Sequence, residues 1–466
     1  METLTSRLDA LRPNIKELMR IGGTPGLSLG VMHQGDQVYF AGYGNRYAEL
    51  YTPPDAKTVL PVCSLTKAVT SAALGILVDE NKATWDTLVK DALPSLNIKD
   101  DILQNQMTIA DLLCHRSGMS WGDNLIIGTD NNVLVSGNDS MEYLNSQTRL
   151  LPFRGQFAYS NLAYELAGKV IESLSNMSYF DFTPPPGLGN VGKCYNSLDN
   201  GNSAPITCIK LGDDWLGAPH AGMRSCVWDL MKLYKAFMQA FNHQFSTGET
   251  STEGLPLKQV AELMSAKIPM DQPSKNEASY GLGWGRVQLP GRMGQIGINP
   301  DLMPNGMPIV GKGIAPRLVI FHQGSMPGAL SFVALLPDTE TAIVISSNAL
   351  ALNDVADWVG QMVLEELLEI PSPQRNDYLA AAKTSAATNL QWYPNLVTQL
   401  QKAQKHGTSP RQLDAYAGTW VGVDQGPDFW KVEFKVMPGG EVDRLCWAHD
   451  DGVPADEYKR EEVGGR

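Results

Sequence analysis

The stretch Ser64-Leu65-Thr66-Lys67, which continues as AVTSAALGILVDE to Glu80, decides how the rest of the chain is read. It is rich in Ala and Leu, with apolar residues three and four apart, the pattern of a helix buried over most of its surface. Ser64 and Lys67 stand three residues apart in its first turn, so both project from one face and the amine can reach the hydroxyl. A serine hydroxyl needs an adjacent base to act as a nucleophile, and a lysine serves only where burial or nearby cations lower its pKa. The helix N-terminus would also aim a backbone N–H at a developing oxyanion. A capped helix with a surface lysine is the plainer reading of the same letters, because a Ser-x-x-Lys pair arises about once by chance in a chain of this size.

Working outward, residues 26–32 and 37–41 are β-prone runs on either side of His33-Gln34-Gly35-Asp36, which predicts a hairpin. Residues 1–20 carry Leu8, Leu11, Ile15 and Leu18 at helical spacing, an amphipathic helix rather than a signal peptide. Further helices are predicted over 108–114, 161–173 and 227–241. Strand character returns at 318–321, 329–336 and 341–346, followed by an apolar-striped helix over 353–370. This order predicts an α+β fold, with a sheet subdomain from about 1–60 and 275–370 and an inserted helical subdomain over about 61–274. The active cleft would lie between them. Residues 371–410 read as a linker or surface helix, and 411–466 as a small β-like appendage opening at Leu413-Asp414-Ala415-Tyr416-Ala417-Gly418-Thr419-Trp420. The last residues, 456–466, are rich in charge and are expected to be poorly ordered.

Composition narrows the function. The chain of 466 residues is 43% hydrophobic and 19% charged, a globular profile, and 37 basic against 50 acidic residues leave a net charge of −13. Nucleic acid and anionic membrane surfaces are therefore disfavoured as partners. Six scattered cysteines without a CxxC pair suggest neither a zinc site nor a disulfide scaffold, and point to a reducing, cytosolic setting. Cys194 and Cys208 lie in one loop-like stretch and could pair, which spacing alone does not decide.

Two further signals bear on chemistry. Tyr159-Ser160-Asn161 opens a predicted helix 95 residues after Ser64, where a phenol could share proton transfer with Lys67. The same Tyr-x-Asn spacing occurs at Tyr43-Gly44-Asn45, near the hairpin, and at Tyr393-Pro394-Asn395, in the tail, so context favours Tyr159. His322-Gln323-Gly324-Ser325 ends an apolar run, where a histidine, a close-approach glycine and a free N–H could line a cleft along a strand edge. His33-Gln34-Gly35 repeats three of those letters in a predicted turn, where a solvated histidine is the plainer fate.

Taken in order, these motifs resemble the serine β-lactamase and penicillin-binding protein superfamily, in particular its class C β-lactamase-like branch with family VIII esterases, D-stereospecific aminopeptidases and lovastatin-type acyltransferases. The resemblance spans about residues 10–370. Thr108-Ile109-Ala110-Asp111-Leu112-Leu113-Cys114-His115-Arg116-Ser117-Gly118, Ala221-Gly222-Met223-Arg224-Ser225 and Tyr280-Gly281-Leu282-Gly283-Trp284 support it. It implies a β-lactamase/transpeptidase-like fold, with Ser64 as the acylated nucleophile and Lys67 and Tyr159 sharing base and acid work. It also implies that Asn161 orients the substrate and that the N–H groups of Ser64 and Ser325 form an oxyanion hole, with no metal or cofactor. His322 stands where class C enzymes carry the lysine of Lys-Thr-Gly, and Gln323 and Gly324 fill the next two places. A largely neutral histidine there weakens the case for a β-lactam carboxylate and favours esters, peptides or acyl transfer.

The expected partner is a small-molecule acyl substrate, which a carrier could hold, in tailoring or offloading of a secondary metabolite. Segments 121–148, 184–215 and 292–316 match no motif and are expected to line the cleft, their Met and Trp content suiting a bulky apolar substrate. A reduced lipocalin-like segment would follow from residue 416. Two other classes remain open: a non-catalytic binding or assembly protein on this fold, and a cleft recruited for cyclisation or epimerisation.

Overall fold

The computed structural model describes residues 3–49, 51–121, 123–127, 131, 133–179, 190–209, 216–270, 275–404, 420–422, 432–436, 442–447 and 456–460. An N-terminal helical segment, α1 (Leu4–Ala10) and α2 (Arg12–Gly22), precedes the hairpin of β1 (Gly26–His33) and β2 (Asp36–Gly44). The single helix expected over 1–20 is thus two. Leu11 caps the first, and Pro13 sits in the first turn of the second, where its missing N–H costs nothing. The hairpin turns on Gln34 and Gly35, both at positive φ.

Helices α3 (Thr66–Asp79), α4 (Asn161–Ser175) and α5 (Val227–Thr247) dominate the middle of the chain. Strands β3 (Ile268–Pro269), β4 (Ala278–Tyr280), β5 (Gly285–Leu289), β6 (Arg317–Met326), β7 (Ala329–Leu336) and β8 (Thr341–Ser347) then precede α6 (Val355–Leu367). One antiparallel sheet runs β2-β1-β8-β7-β6-β5-β4-β3, so the N-terminal hairpin joins the late strands through the β1–β8 pairing.

Both faces of the central strands are covered, which explains their nearly unbroken apolar sequences. Val333, Leu335 and Val344 face the cluster containing α3, α4 and α5, whereas Phe332, Ala334, Ile343 and Ile345 face α1, α2 and α6. Residues read as a linker or surface helix form two helices, α7 (Tyr378–Asn389) and α8 (Trp392–Ala403). Tyr378 and Ala382 join the second cluster, and Asn353 Nδ2 donates to the Ala382 carbonyl at 2.8 Å. The alanine-rich composition is what lets α7 lie close to α2 and α6. The segment expected to line the cleft over 292–316 also differs, since its Met293 and Met307 are buried in the second cluster, on the sheet face away from Ser64.

The C-terminal residues form a separate antiparallel sheet, β9 (Trp420–Gly422), β10 (Val432–Val436), β11 (Val442–Trp447) and β12 (Asp456–Arg460), in the order β9-β12-β11-β10. Its last strand occupies part of the tail expected to be disordered. Leu413 to Thr419 and the Pro184-Pro185-Pro186-Gly187 stretch lie outside the described residues.

On α6, Gly360 lies against the Phe332 ring, where an added Cβ would come within 2.3 Å of it. Gly360→Ala is expected to cost about 1–3 kcal/mol by overpacking, read as a lower urea midpoint at unchanged slope.

Candidate active site

Ser64 sits in a 3-10 turn, Cys63–Leu65, immediately before α3. Cys63 adopts φ 51°, a left-handed conformation that costs energy in a non-glycine residue and turns the chain sharply ahead of Ser64. The turn is pinned from two sides. Leu60 and Pro61 pair with Ser225 and Arg224, and Val62 N–H donates to the Met223 carbonyl at 3.0 Å. From the sheet, Ser331 Oγ donates to the Val62 carbonyl at 2.8 Å.

Lys67, the second residue of α3, is completely buried. Its Nζ lies 3.0 Å from Ser64 Oγ, 2.7 Å from Asn161 Oδ1 and 3.1 Å from the His220 carbonyl. Burial pushes the amine down to about 7, against the pull of Asp123 and Glu165. The partner set fits a neutral amine. Asn161 Oδ1 and a carbonyl can only accept, so they take its two N–H groups and leave the lone pair facing the Ser64 hydroxyl.

Asn161 is the first residue of α4, whose N-cap is Ser160. Its Nδ2 donates to Asp123 Oδ2 at 2.6 Å, which fixes the amide so that its oxygen faces Lys67. Tyr159, two residues before, donates its hydroxyl to Ser64 Oγ at 2.8 Å. Burial lifts this phenol well above its usual range, so it stays protonated at neutral pH. Of the three Tyr-x-Asn candidates, Tyr159 alone meets Ser64. Tyr43 is buried beside Tyr39 and under the Arg12 guanidinium, and Tyr393 is exposed.

His322, Gly324 and Ser325 lie within β6, which runs ten residues; β5 pairs with it only over Arg317–Phe321, so among the described residues β7 alone is bonded to it from His322 onward and the other edge is open, the strand edge that the sequence suggested. Gly324 permits the close approach: a Cβ there would lie 2.4 Å from Ser331 Oγ and 2.9 Å from both Cys63 Cβ and the Val62 carbonyl. Ser325 is half-buried, the penultimate residue of β6. His322 Nδ1 lies 2.5 Å from the Gln323 carbonyl and must donate to it, which leaves Nε2 to accept from Tyr280 at 2.8 Å. Burial, helped by the nearby Lys67, lowers His322 to about 3. The ring is therefore neutral, with both nitrogens engaged. The other His-Gln-Gly, at His33, shares a hydrogen bond with Thr341 Oγ1.

The family model described as beta-lactamase matches residues 11–183 and 184–362. The chain belongs to the β-lactamase family. A hydrolase of Aspergillus campestris named for unguisins is 31% identical over 172 residues, covering 34% of this chain and 31% of the relative. Penicillin-binding protein 4 of Amycolatopsis lactamdurans is 28% identical over 185 residues, covering 38% and 45%. The matched stretch thus spans less than half the length of these curated relatives. Among solved structures, a penicillin-binding protein homologue from Pyrococcus abyssi superposes with a TM-score of 0.61 at 18% identity, covering 94% of this chain and 86% of that one. A class C β-lactamase gives 0.57 at 19%, covering 78% and 96%. These two establish the shared fold.

Within this β-lactamase fold, sequence reasoning missed a layer behind the reacting groups. The His115 ring lies 4.3 Å from that of Tyr159 and 5.0 Å from that of Tyr280, and its Nδ1 accepts from the Ser160 N–H at 3.1 Å. Both histidine and tyrosine stood in quoted motifs, so the signal was present without a role. Asp123, which aligns Asn161, stood in a segment with no motif match and offered no signal.

Gly324→Ala should leave a folded protein by circular dichroism while lowering any reaction of the Ser64 hydroxyl with an acyl donor by about 10²-fold, because the added methyl drives β6 away from the Ser64 turn. Adduct formation with p-nitrophenyl butyrate, followed by intact mass, measures it.

Proposed function

We propose that this protein is a serine hydrolase that forms an acyl-enzyme on Ser64 from an ester, thioester or amide. The observation that carries this reading is the Lys67 amine, buried and aimed at the Ser64 hydroxyl, with a protonated Tyr159 on the other side of the same oxygen. Lys67 takes the serine proton as Oγ attacks the carbonyl carbon. The resulting ammonium is received by Asn161 Oδ1, the His220 carbonyl and the faces of Tyr159 and Tyr164, whose ring centroids lie 4.9 and 5.3 Å from Nζ. Tyr159 is placed to hand a proton to the leaving group. The backbone N–H groups of Ser64 and Ser325 are assigned to the carbonyl oxygen as it becomes an oxyanion.

Similarity to relatives named as unguisins hydrolases favours water over a second acceptor as the agent that releases the acyl group. The neutral His322 disfavours substrates that need a cation beside the reacting carbonyl. A non-catalytic binding role gains nothing from a lysine buried at the cost of its charge, and no observation favours it.

Three measurements test the mechanism. Wild type should gain the acyl mass from p-nitrophenyl or thioester donors, whereas Ser64→Ala should gain none. The acylation rate should rise with pH through about 7 and level off above, since the neutral amine is the competent form and Lys67 is held near that value. Lys67→Arg, charged throughout, should lose about 10²–10⁴-fold and its pH dependence. Equal adduct on Ser64→Ala, or a flat wild-type profile, would overturn the assignment.

A further inference from the structure

The hairpin formed by Tyr195–Ser197 and Ser203–Pro205 closes its open end with two thiols. Ile206 N–H donates to the Cys194 carbonyl at 3.0 Å, and this brings Cys194 Sγ–H to donate to Cys208 Sγ at 2.9 Å. Arg224 adds a charge, with Nη2 3.2 Å from Cys208 Sγ and 3.4 Å from the Ile209 carbonyl. The two sulfurs are therefore inequivalent. Cys208 receives a proton donor and a guanidinium, which stabilise its thiolate, and is partly exposed; Cys194 is the donor and is buried. The other cysteines of the main fold, Cys63, Cys114 and Cys226, are buried, and burial raises each of their thiols.

Location gives the pair a consequence. Cys208 and Arg224 line a cavity of about 240 Å³ together with Pro61, Gly222 and Met326. Pro61 lies three residues before Ser64, and Met326 follows Ser325. Cys194 Cβ lies 2.6 Å from where a Cβ would stand on Gly328, in the β6–β7 turn, and Tyr195 bridges to that same glycine.

We propose that Cys194 and Cys208 are a peroxide-oxidisable dithiol, with Cys208 the attacking sulfur and Cys194 the resolving one, on the wall of a cavity beside Ser64. The Cys208 thiolate attacks one oxygen of hydrogen peroxide: an S–O bond forms, the O–O bond breaks and hydroxide leaves to be protonated. Cys194 then gives up its proton and attacks the sulfenic sulfur; the S–S bond forms, the S–O bond breaks and water departs. Two thiols and one peroxide yield one disulfide and two waters. Oxidation withdraws the Cys208 sulfur from Arg224, freeing the guanidinium to the cavity. That last effect on substrates rests on the acyl-enzyme reading.

The test treats the reduced full chain with hydrogen peroxide, alkylates remaining thiols and maps peptides without reduction. Expected is a two-thiol loss confined to a Cys194–Cys208 linked peptide. Cys194→Ser should trap a dimedone-reactive sulfenate on Cys208, Cys208→Ser should give none on Cys194, and Arg224→Gln should slow oxidation by about tenfold at pH 7. Oxidation elsewhere first, or equal reactivity of the two single variants, would overturn the dithiol. A severalfold shift in KM for long-chain p-nitrophenyl esters between oxidised and reduced wild type, absent in Cys194→Ser, is expected. An unchanged KM would overturn the coupling to the cavity and leave the dithiol standing. Should no ester acylate wild type, the acyl-enzyme reading falls, and the peptide map still decides the dithiol.

Discussion

The structure is organised around a single expensive placement, a lysine amine taken completely out of water. An ammonium is strongly disfavoured there, so the group survives only by lowering its pKa and by finding oxygen acceptors at fixed positions. Each hydrogen-bond partner comes from a different part of the chain: the Ser64 hydroxyl from the turn before α3, and the acceptors Asn161 Oδ1 from the start of α4 and the His220 carbonyl from the short helix Ala218–Ala221. That short helix is itself held, because Glu165 on α4 accepts from the Gly217 N–H at 2.9 Å and lies 2.8 Å from His220 Nδ1. Losing any one of these supports would leave a buried polar group unpaired, which makes the helical block a single unit around Lys67.

The sheet meets this unit through β6, and alternation along the strand lets one element serve both faces. Gly324 presents no side chain toward the Ser64 turn, so the two backbones can touch. Gln323 points the other way, where its Nε2 donates to Asp357 Oδ1 at 2.9 Å on α6. Asp357 also accepts from Asn299 and Gln361, so this buried carboxylate ties α6, β6 and the segment before β6 into one network. The position of β6 relative to Ser64 is thus set from behind the sheet as well as in front.

What the sequence made legible follows from period and spacing. The Ser64 helix, the hairpin at Gly26, the late antiparallel strands and the meeting of Lys67 with Ser64 all depend on local pattern, and all appear. Tyr159 and Asn161 were chosen over two identical spacings by their place before a helix, and a helix start does deliver them to Ser64. Less legible were features created by tertiary contact. The run after residue 371 left a linker and a surface helix open because Ala and Asn carry little periodicity, and its packing against α2 and α6 was not legible, although small side chains suit a helix set close to two others. The methionines at 293 and 307 had the composition of a substrate pocket, but the same flexible thioethers serve equally to fill a core. Asp123 had no local signature because its role exists only once α4 is docked.

His322 is fixed in one neutral form by its surroundings. A lysine there would carry its charge to the cleft on a flexible stem, whereas the imidazole is short, buried and doubly hydrogen-bonded. Its work is to hold Tyr280, whose ring packs against His115, whose ring in turn packs against Tyr159. His322 is thus the first member of a row of rings that ends at Tyr159. The neutral ring also matters for Lys67: a fixed positive charge on this strand would depress the pKa of the amine further, and an uncharged imidazole avoids that penalty.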